Sequence, residues 1–485
     1  MNNPQGWQLE NSYVDLPKDF FTKIHPTPVI SPKLILFNNK LAKTLGIDLT
    51  LDDKETITDI FSGNKLPKAA NPIAQAYAGH QFGHFSILGD GRAHLIGEQI
   101  TPTGKRFDIQ LKGSGQTPYS RGGDGRAAVG PMLREYLISE AMHALKIPTT
   151  RSLAVVLTGE SVMRSSLFDG AILTRVAASH LRIGTFEYAN KILGYGPLKQ
   201  LADYAIKRHY PELNNRKNSY LAFLIEVIER QAKLIASWMH FGFIHGVMNT
   251  DNMTISGETI DYGPCAFLDT FSMERVFSSI DYHGRYKYGG QAHVAQWNLA
   301  KLAESLIPLI HKDSKQASEL AEAALDRYSE VFNNAWLQGM RSKLGIDNDE
   351  TDDLPLVQKL FDWMEFAKVD FTKTFRDLGK EYLPNNVIYN SKSFQEWYVM
   401  WEARRSRNTN SKKSSFALMQ KNNPIIAPNN YYVEKALEDA EKGDLAEFEN
   451  LLTVLQNPFE ETILSNNYVN KNIQPDSNYK TFCGT

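Results

Sequence analysis

Apolar residues in much of the chain recur at intervals of three and four, the spacing of one buried helical face. The clearest run extends from Leu221 to Met239 and predicts a long amphipathic helix that ends at Phe241-Gly242. The same spacing predicts further helices over residues 131–145, 297–310, 319–336, 393–405 and 433–441. Most of the second half of the chain is therefore expected to be helical.

Shorter segments alternate between apolar and polar positions, as strands do. From Phe107 to Lys112 the alternation places Phe107, Ile109 and Leu111 on one face of a strand and Lys112 on the other. Further strands are predicted within residues 86–100, where a glycine turn joins two of them, and over residues 152–157 and 170–176. Strands followed by many helices predict an α+β fold.

Two stretches indicate boundaries. Residues 1–75 mix short apolar runs with Pro- and Asp-rich turns and contain no motif with a mechanism, so we expect a packed N-terminal extension. The stretch Asn423–Asn430 is rich in Pro and Asn and predicts a second boundary, followed by a helix and a polar tail.

Composition narrows the possible functions. The 485 residues carry 53 Lys and Arg against 55 Asp and Glu, a net charge of -2, so there is no overall basic field for nucleic acid. No run of about 18 apolar residues would span a bilayer, and the N-terminus has no signal-like pattern. Two cysteines rule out a multi-cysteine zinc site or a disulfide framework. We therefore expect a cytoplasmic protein without membrane or nucleic-acid partners.

The segment from His245 to Gly263 places polar side chains on two turns between apolar runs. His245 opens the first turn, Asn252 follows seven residues later, and Asp261-Tyr-Gly stands where a kinase has Asp-Phe-Gly. In kinases the Asn and Asp at these positions hold the metal ions that bind the nucleotide phosphates. The spacing indicates a kinase-type catalytic loop, and a solvated polar turn is the alternative.

The catalytic base of this loop differs from that of a kinase. Two residues after His245, where a protein kinase has its catalytic Asp, this chain has Val247, which cannot accept a proton. Asp251, directly before Asn252, supplies a carboxylate elsewhere in the loop. Ordinary kinase chemistry is therefore in question, and Asp251 is the candidate base.

Glycines and basic residues upstream of this loop indicate phosphate binding. Gly89-Asp-Gly91-Arg92 forms a turn between two strands, and the long glycine-rich loop Gly113–Arg126 directly follows Lys112. Glycines let backbone amides approach phosphates, and arginine adds a planar charged fork. Arg175 and Arg182 follow further along the chain. An ordinary hairpin turn and solvated arginines are the alternatives.

Two further spacings involve possible site residues. Glu135 lies early in the first predicted helix, where a kinase helix presents a carboxylate to the strand lysine, and Glu140 is the alternative. His80 and His84 are four residues apart, as metal ligands on one helical face would be. Neighbouring glycines would interrupt such a helix, so we expect a structural role for the two histidines.

In this combination and order, the glycine segments, Lys112, Glu135, Asp251-Asn252 and Asp261 resemble the selenoprotein O family of kinase-like protein adenylyltransferases. The resemblance runs from about residue 5 to the last residue. It implies a protein-kinase-like two-lobed fold that binds ATP in a reversed orientation and transfers AMP to Ser, Thr or Tyr hydroxyls of proteins. Some members use UTP with manganese, so the donor is ATP or UTP and the metal Mg²⁺ or Mn²⁺.

The resemblance also implies roles for single residues. Asp251 would be the proton acceptor, Asn252 and Asp261 would hold the metal, and Glu135 would support the site. The nucleotide-binding residues would be Gly89, Gly91, Arg92, Lys112, Asp124, Gly125, Arg175, Arg182 and Asp261.

On this basis the chain is divided into four parts. The predicted parts are an N-terminal extension (1–75), a kinase-like N-lobe (76–180), a C-lobe with the catalytic and metal loops (181–425), and a C-terminal helical segment with a tail (426–485). We expect a monomer whose partners are protein substrates.

Two rival functions stay open from the sequence. A small-molecule phosphotransferase of the aminoglycoside-kinase type also has a loop that begins His-Gly, but it would normally keep the Asp that Val247 replaces. A pseudokinase scaffold would bind nucleotide without catalysis. The retention of Lys112, Asn252 and Asp261 disfavours the scaffold, because a scaffold has no need of a complete metal site.

The two cysteines carry a separate hypothesis. Cys265 follows Asp261-Tyr-Gly-Pro264, and Cys483 is third from the end. In related eukaryotic proteins the near-terminal position resembles that of a selenocysteine, a strongly redox-active residue. The resemblance therefore suggests a reversible Cys265–Cys483 disulfide that tunes activity. A buried, inert Cys265 and a passenger Cys483 are the alternative.

Overall fold

The computed structural model describes residues 5–469 and 478–482, and it combines one large antiparallel sheet with many helices. The strands are β1 (Leu9–Glu10), β2 (Phe21–Lys23), β3 (Lys33–Phe37), β4 (Ile73–Gln81), β5 (His84–Gly89), β6 (Ala93–Ile100), β7 (Arg106–Lys112), β8 (Arg151–Met163), β9 (Leu167–Ala177), β10 (Phe243–Ile244) and β11 (Ala266–Phe267). The predicted α+β class is confirmed.

The helices follow the predicted distribution along the chain. They are α1 (Asn39–Leu45), α2 (Lys54–Phe61), α3 (Val129–Ala144), α4 (Ile183–Tyr188), α5 (Tyr195–His209), α6 (Ser219–His240), α7 (Gln291–Ile310), α8 (Ser314–Lys343), α9 (Asp353–Ala367), α10 (Phe371–Leu378), α11 (Lys392–Arg405), α12 (Lys412–Asn422), α13 (Asn430–Glu441), α14 (Ala446–Leu455) and α15 (Ile463–Val469). Within the described residues, no helix is both long and apolar enough to cross a membrane.

The large sheet has the strand order β2-β4-β6-β7-β9-β8-β3, with β1 added to β6 and β5 to β4. Three of its strands, β1 to β3, precede residue 75. Side chains of α1 and α2, among them Leu41 and Phe61, share a core with Ile109 of β7. The segment predicted as an N-terminal extension is therefore hydrogen-bonded into the sheet. The sequence did not indicate this pairing, because the strands in this segment are short and separated by turns.

Strand β7 has two different faces, as its alternation predicts. Ile109 and Leu111 pack into the core shared with α1 and α2. The opposite face carries Asp108, Gln110 and Lys112, which are also buried because partners from other elements cover them. This buried polar face supplies the sheet's side of the candidate active site.

Helix α6 delivers the chain to the loop that begins at His245. The side chain of Asn218 accepts a hydrogen bond from the backbone N–H of Leu221 and caps the helix. Leu224, Ile228 and Ile235 are among the residues on its buried face. The short pair β10–β11 then holds the two ends of the catalytic segment together, with Phe243 opposite Phe267.

Lys343 at the end of α8 is buried among aromatic rings. Its Nζ lies 4.3 Å from the ring centroid of Phe375, 5.3 Å from that of Phe241 and 5.7 Å from that of Phe371. No carboxylate in the described part of the chain pairs with it. Burial lowers the pKa of Lys343 from 10.5 to about 7.

We expect Lys343→Met to stabilise the fold at pH 7. Between pH 7 and 10.5 the unfolded chain binds the proton that the folded Lys343 has lost, so the free energy of unfolding of the natural chain rises with pH across this window. Each pKa unit corresponds to about 1.4 kcal/mol, so the substitution should raise the free energy of unfolding by roughly 2–4 kcal/mol. Denaturant titrations at pH 7 and pH 10 measure both effects.

The matched control is Lys315→Met, which changes an exposed lysine of the same helix. It should leave the free energy of unfolding nearly unchanged. A lower value for Lys343→Met would show that the rings stabilise the ammonium more than burial destabilises it.

Candidate active site

A cavity of about 510 Å³ is lined by the polar side of the sheet and by the loop after His245. All residues predicted to bind nucleotide or metal, or to act as the base, line it: Gly89, Gly91, Arg92, Lys112, Asp124, Gly125, Arg175, Arg182, Asp251, Asn252 and Asp261. Positions separated by up to 172 residues in sequence, from Gly89 to Asp261, thus meet around one space. Their individual roles stay predictions.

Four charged side chains form the centre of the site. Lys112 Nζ lies 2.6 Å from Glu135 Oε2 and 2.7 Å from Asp261 Oδ1. Arg175 Nη1 lies 2.7 Å from the same Asp261 oxygen and 3.3 Å from Glu135 Oε1. Glu135 is therefore the carboxylate next to the strand lysine, whereas Glu140 pairs with Arg151.

Asp261 remains ionised in this setting. Burial alone would raise the pKa of Asp261, but Lys112, Arg175 and Arg182 hold that pKa well below its usual range. The residue has a φ of 63°, a left-handed conformation that is uncommon outside glycine and is often found at functional sites. No described residue donates a hydrogen bond to its second oxygen, Oδ2. That oxygen is available to a ligand.

Two buried arginines are held from behind by polar groups. Arg175 Nη2 donates to Gln110 Oε1 at 2.7 Å, and Gln110 Nε2 donates to Asp90 Oδ2 at 3.2 Å. The Arg182 guanidinium lies 4.2 Å from the ring centroid of Tyr77, and its Nη2 is 3.9 Å from Asp90 Oδ1. Both arginines line the cavity in fixed positions, so a bound phosphate need not order them.

The catalytic loop is fixed by its own hydrogen bonds. His245 Nε2 lies 2.8 Å from the carbonyl oxygen of Ile260, and its ring stacks on Trp238 with centroids 5.4 Å apart. Asn252 Nδ2 donates to the carbonyl of Val247 at 3.0 Å. This bond sets the orientation of the Asn252 amide, and no described residue donates a hydrogen bond to its Oδ1.

Asp251 is a buried carboxylate whose Oδ1 has no hydrogen-bond partner in the described chain. A Cβ atom at Gly79 would lie 2.1 Å from this oxygen, so only glycine fits at that position of β4. Burial raises the pKa of Asp251 to about 6, and Arg182 partly offsets the rise. The group is thus poised to accept a proton near neutral pH.

The oxygen atoms of Asn252 and Asp261 suit a hard divalent cation. Mg²⁺ and Mn²⁺ prefer oxygen ligands, and both residues offer to the same cavity an oxygen that has no hydrogen-bond donor in the described part of the chain. The described residues contain no cluster of three His, Cys, Asp or Glu side chains that would enclose a metal without further ligands. A cation here would take its remaining ligands from phosphates and water, as Mg²⁺ usually does.

Some lining residues were not assigned from the sequence: Tyr77, Asp90, Tyr119 and Arg164. Tyr119 packs so close to Gly89 that a Cβ there would lie 2.4 Å from its Cγ, a contact that explains this glycine. Arg164 lies in the turn between β8 and β9, and no local pattern marks it. Asp90 lies inside the glycine turn and Tyr119 inside the loop Gly113–Arg126, two segments that the sequence had indicated.

The two histidines lie on different strands, His80 on β4 and His84 on β5, so they do not share a helical face. The buried His80 Nδ1 lies against Glu187 of α4, and burial lowers the pKa of His80 to about 4, so this contact is not an ion pair at neutral pH. Its backbone N–H also donates to Thr250 Oγ1 at 2.7 Å, directly before Asp251. His80 therefore has a structural contact with the catalytic loop.

Comparison with known proteins agrees with this geometry. Residues 5–456 match the family described as protein adenylyltransferase SelO. The chain belongs to the SelO family. It is 56% identical over 484 residues to the protein nucleotidyltransferase YdiU of Bacillus mycoides (strain KBAB4), covering 100% of this chain and 99% of that protein. It is 55% identical over 485 residues to the same-named protein of Bacillus cereus (strain ATCC 10987), again over 100% and 99%.

SelO membership confirms the resemblance inferred from the sequence. These relatives are named protein nucleotidyltransferases, and a nucleotidyltransferase requires a nucleoside triphosphate as donor. The cavity, with its basic side chains, is suited to such a donor. The match covers the sheet, the catalytic loop and most of the helices.

Of the predicted cysteine pair, only Cys265 lies within the described residues. Burial raises the pKa of its thiol to about 12, so Cys265 is protonated at neutral pH. Thr481 Oγ1 donates to the carbonyl of Pro264, the residue before Cys265, at 2.7 Å. Cys483 lies outside the described residues, so the disulfide stays a prediction.

Proposed function

We propose that this SelO-family chain transfers AMP from ATP to a Ser, Thr or Tyr hydroxyl of a protein and releases pyrophosphate. The observation that carries the proposal is Asp251. Its buried carboxylate, with Oδ1 unpartnered, lines the same cavity as Lys112, Arg175 and Arg182. Val247, which cannot act as a base, occupies the kinase base position in that cavity.

In the proposed reaction, Asp251 accepts the proton of the incoming hydroxyl. The hydroxyl oxygen forms a bond to the α-phosphorus, and the bond from that phosphorus to the bridging oxygen breaks. The electron pair of the broken bond leaves with pyrophosphate. A base positioned in this way contributes roughly 10²- to 10⁴-fold to a rate.

The cationic side chains favour pyrophosphate as the leaving group. Lys112, Arg175 and Arg182 are fixed by buried partners, so they stabilise developing negative charge without first reorganising. Mg²⁺ or Mn²⁺ held by Asn252 and Asp261 would supply further charge neutralisation. UTP in place of ATP uses the same phosphate contacts, so the base of the donor is left to experiment.

We further propose that the fold is two-lobed and kinase-like. The order of lysine strand, glutamate helix and catalytic loop supports it, as does a cavity lined by both the sheet and the loop after α6. The proposed parts are residues 76–180 and 181–425, with residues 1–75 contributing strands to the sheet and residues 426–485 forming the C-terminal segment. We propose a cytoplasmic monomer without nucleic-acid or membrane partners.

Labelling at separate phosphorus atoms tests the proposed function. With Mg²⁺ or Mn²⁺ present, we expect label from α-phosphate ATP, but not from γ-phosphate ATP, to become bound to protein. Transfer of the γ label to a protein or a small alcohol would instead identify a phosphotransferase. Nucleotide binding without transfer of either label would identify a scaffold. Repeating the α-label assay with UTP determines the preferred donor.

We also retain the proposed Cys265–Cys483 disulfide. The contact of Thr481 with Pro264 supports it, because the described chain passes next to Cys265 two residues before Cys483. Mass spectrometry after mild oxidation, for example with glutathione disulfide, should find the two cysteine peptides linked and separated again by a reducing thiol. Two alkylatable thiols after that treatment would contradict the prediction.

A further inference from the structure

The carboxylate of Asp124 is occupied by protein donors. Arg164 Nη1 lies 2.8 Å from Asp124 Oδ2, and Arg164 Nη2 lies 3.0 Å from Asp124 Oδ1. The backbone N–H of Arg126 also donates to Oδ1, at 2.9 Å. This two-bond arrangement is the strongest geometry that an arginine and a carboxylate form. Asp124 is therefore engaged in holding other residues at the cavity.

The Arg164 guanidinium also makes hydrogen bonds to backbone carbonyls. Nη1 also donates to the carbonyl of Met163, and Nη2 to the carbonyl of Arg126, both at 2.8 Å. Its Nε is buried without a partner. The four Nη hydrogens are thus used within the protein, which leaves no outward-facing donor for a phosphate although Arg164 lines the cavity.

The loop that these residues hold is rich in glycine. Between Arg121 and Arg126 it contains three glycines, and glycine has the largest backbone freedom to lose on ordering. Gly125 has a φ of 68°, and a Cβ there would lie 2.1 Å from the backbone of Gly115. Arg121 has a left-handed φ of 48° and lines the cavity. The contacts of Asp124 and Arg164 therefore add to hydrogen bonds within the loop, such as that from the N–H of Gly115 to the carbonyl of Gly125 at 3.0 Å.

A second ion pair anchors the same loop. Arg126 Nη2 lies 2.9 Å from Glu160 of β8, and the Arg126 guanidinium donates to the carbonyls of Thr27 and Pro28 at 3.2 Å. The two hairpin residues that hold the loop are therefore Glu160, near the end of β8, and Arg164, in the turn that follows. The hairpin end fixes the loop from one side of the cavity.

We propose that Arg164 is a positioning residue of the nucleotide site. It holds the glycine-rich segment 121–126 against the β8–β9 turn through its ion pair with Asp124. The inference rests on the proposed function, because it concerns the same cavity. It predicts that Asp124 and Arg164 act as one unit in nucleotide binding.

The test is a double-mutant cycle with Asp124→Asn, Arg164→Gln and the combined variant, using the full chain. Calorimetry measures the dissociation constant of a non-hydrolysable ATP analogue with Mg²⁺. We expect each single variant to weaken binding by about 10-fold and the combined variant to weaken it no further, because the partners of one ion pair are not additive. The exposed pair Lys199–Asp203 of α5, changed to Gln and Asn, is the matched control and should leave affinity unchanged.

Two more readouts separate positioning from a general loss of structure. Arg164→Lys keeps the charge but not the fork, so we expect a higher KM for the nucleotide with kcat nearly unchanged. Limited trypsin digestion without nucleotide should cut after Arg121 faster in Arg164→Gln than in the natural chain, at an equal thermal midpoint. This digestion requires no catalytic activity.

The outcomes distinguish this inference from the proposed function. Additive losses in the cycle, or unchanged trypsin cleavage after Arg121, would overturn the positioning role even when the natural chain transfers the α label. Failure of the natural chain to transfer the α label would overturn the proposed function, whereas the digestion result would still decide the role of Arg164.

Discussion

Replacing Asp261 with alanine is expected to abolish metal-dependent nucleotide binding. The change removes the carboxylate that offers a free oxygen to a cation and that Lys112 and Arg175 share. Both cations are buried and would share only Glu135, so one positive charge would be left without its balancing carboxylate, and breaking a buried ion pair costs about 3–5 kcal/mol. The variant should therefore lose nucleotide affinity in calorimetry with Mg²⁺ and should also unfold at lower denaturant concentration.

Asp261→Asn separates the loss of the metal ligand from the loss of the negative charge. The amide keeps the size of the side chain and a weak metal ligand, but it cannot neutralise Lys112 and Arg175. Asp59→Ala, which removes a partly exposed carboxylate of α2 that pairs with the exposed Lys65, is the control and should change neither property. Natural affinity for the nucleotide and metal in Asp261→Ala would contradict the assignment of Asp261 as a metal ligand.

The parts of the site that the sequence predicted well are those encoded by local patterns. Lys112 lies on the polar side of an alternating strand, and Asn252 and Asp261 follow His245 in the sequence at the spacing of a kinase-type loop. Periodicity also located helix α6, because its buried face repeats over 22 residues. Local patterns report which face of an element is buried, and here the polar face of β7 contributes Lys112 to the lining of the cavity.

Other features depend on contacts between distant segments, which one sequence does not encode visibly. The strands β1 to β3 are short, and only their pairing with β6, β4 and β8 identifies them as members of the sheet. The bond between Asp124 and Arg164 joins residues 40 apart, and neither lies in a pattern that indicates the other. Gly79 is explained only by Asp251, whose side chain occupies the space of a Cβ.

Replacing Asp251 with asparagine is expected to lower turnover by roughly 10²- to 10⁴-fold while nucleotide affinity stays nearly unchanged. Asparagine has the same size, so it fits beside Gly79 where the carboxylate lies. It cannot take the proton of an incoming hydroxyl. The α-label assay measures turnover, and calorimetry with Mg²⁺ measures affinity.

The contrast with Asp261 makes this prediction specific. Among the described residues Asp251 Oδ1 has no hydrogen-bond partner, and burial raises the pKa of Asp251 despite the opposing effect of Arg182, so the ionised carboxylate disfavours the folded state. Removing that charge should leave the free energy of unfolding unchanged or higher, whereas removing the charge of Asp261 should lower it. An Asp251→Ala variant tests whether a methyl side chain has the same effects on turnover and on the free energy of unfolding as asparagine. If the Asp251 and Asp261 variants lost nucleotide affinity equally, Asp251 would belong to the binding site and the base would have to be another residue.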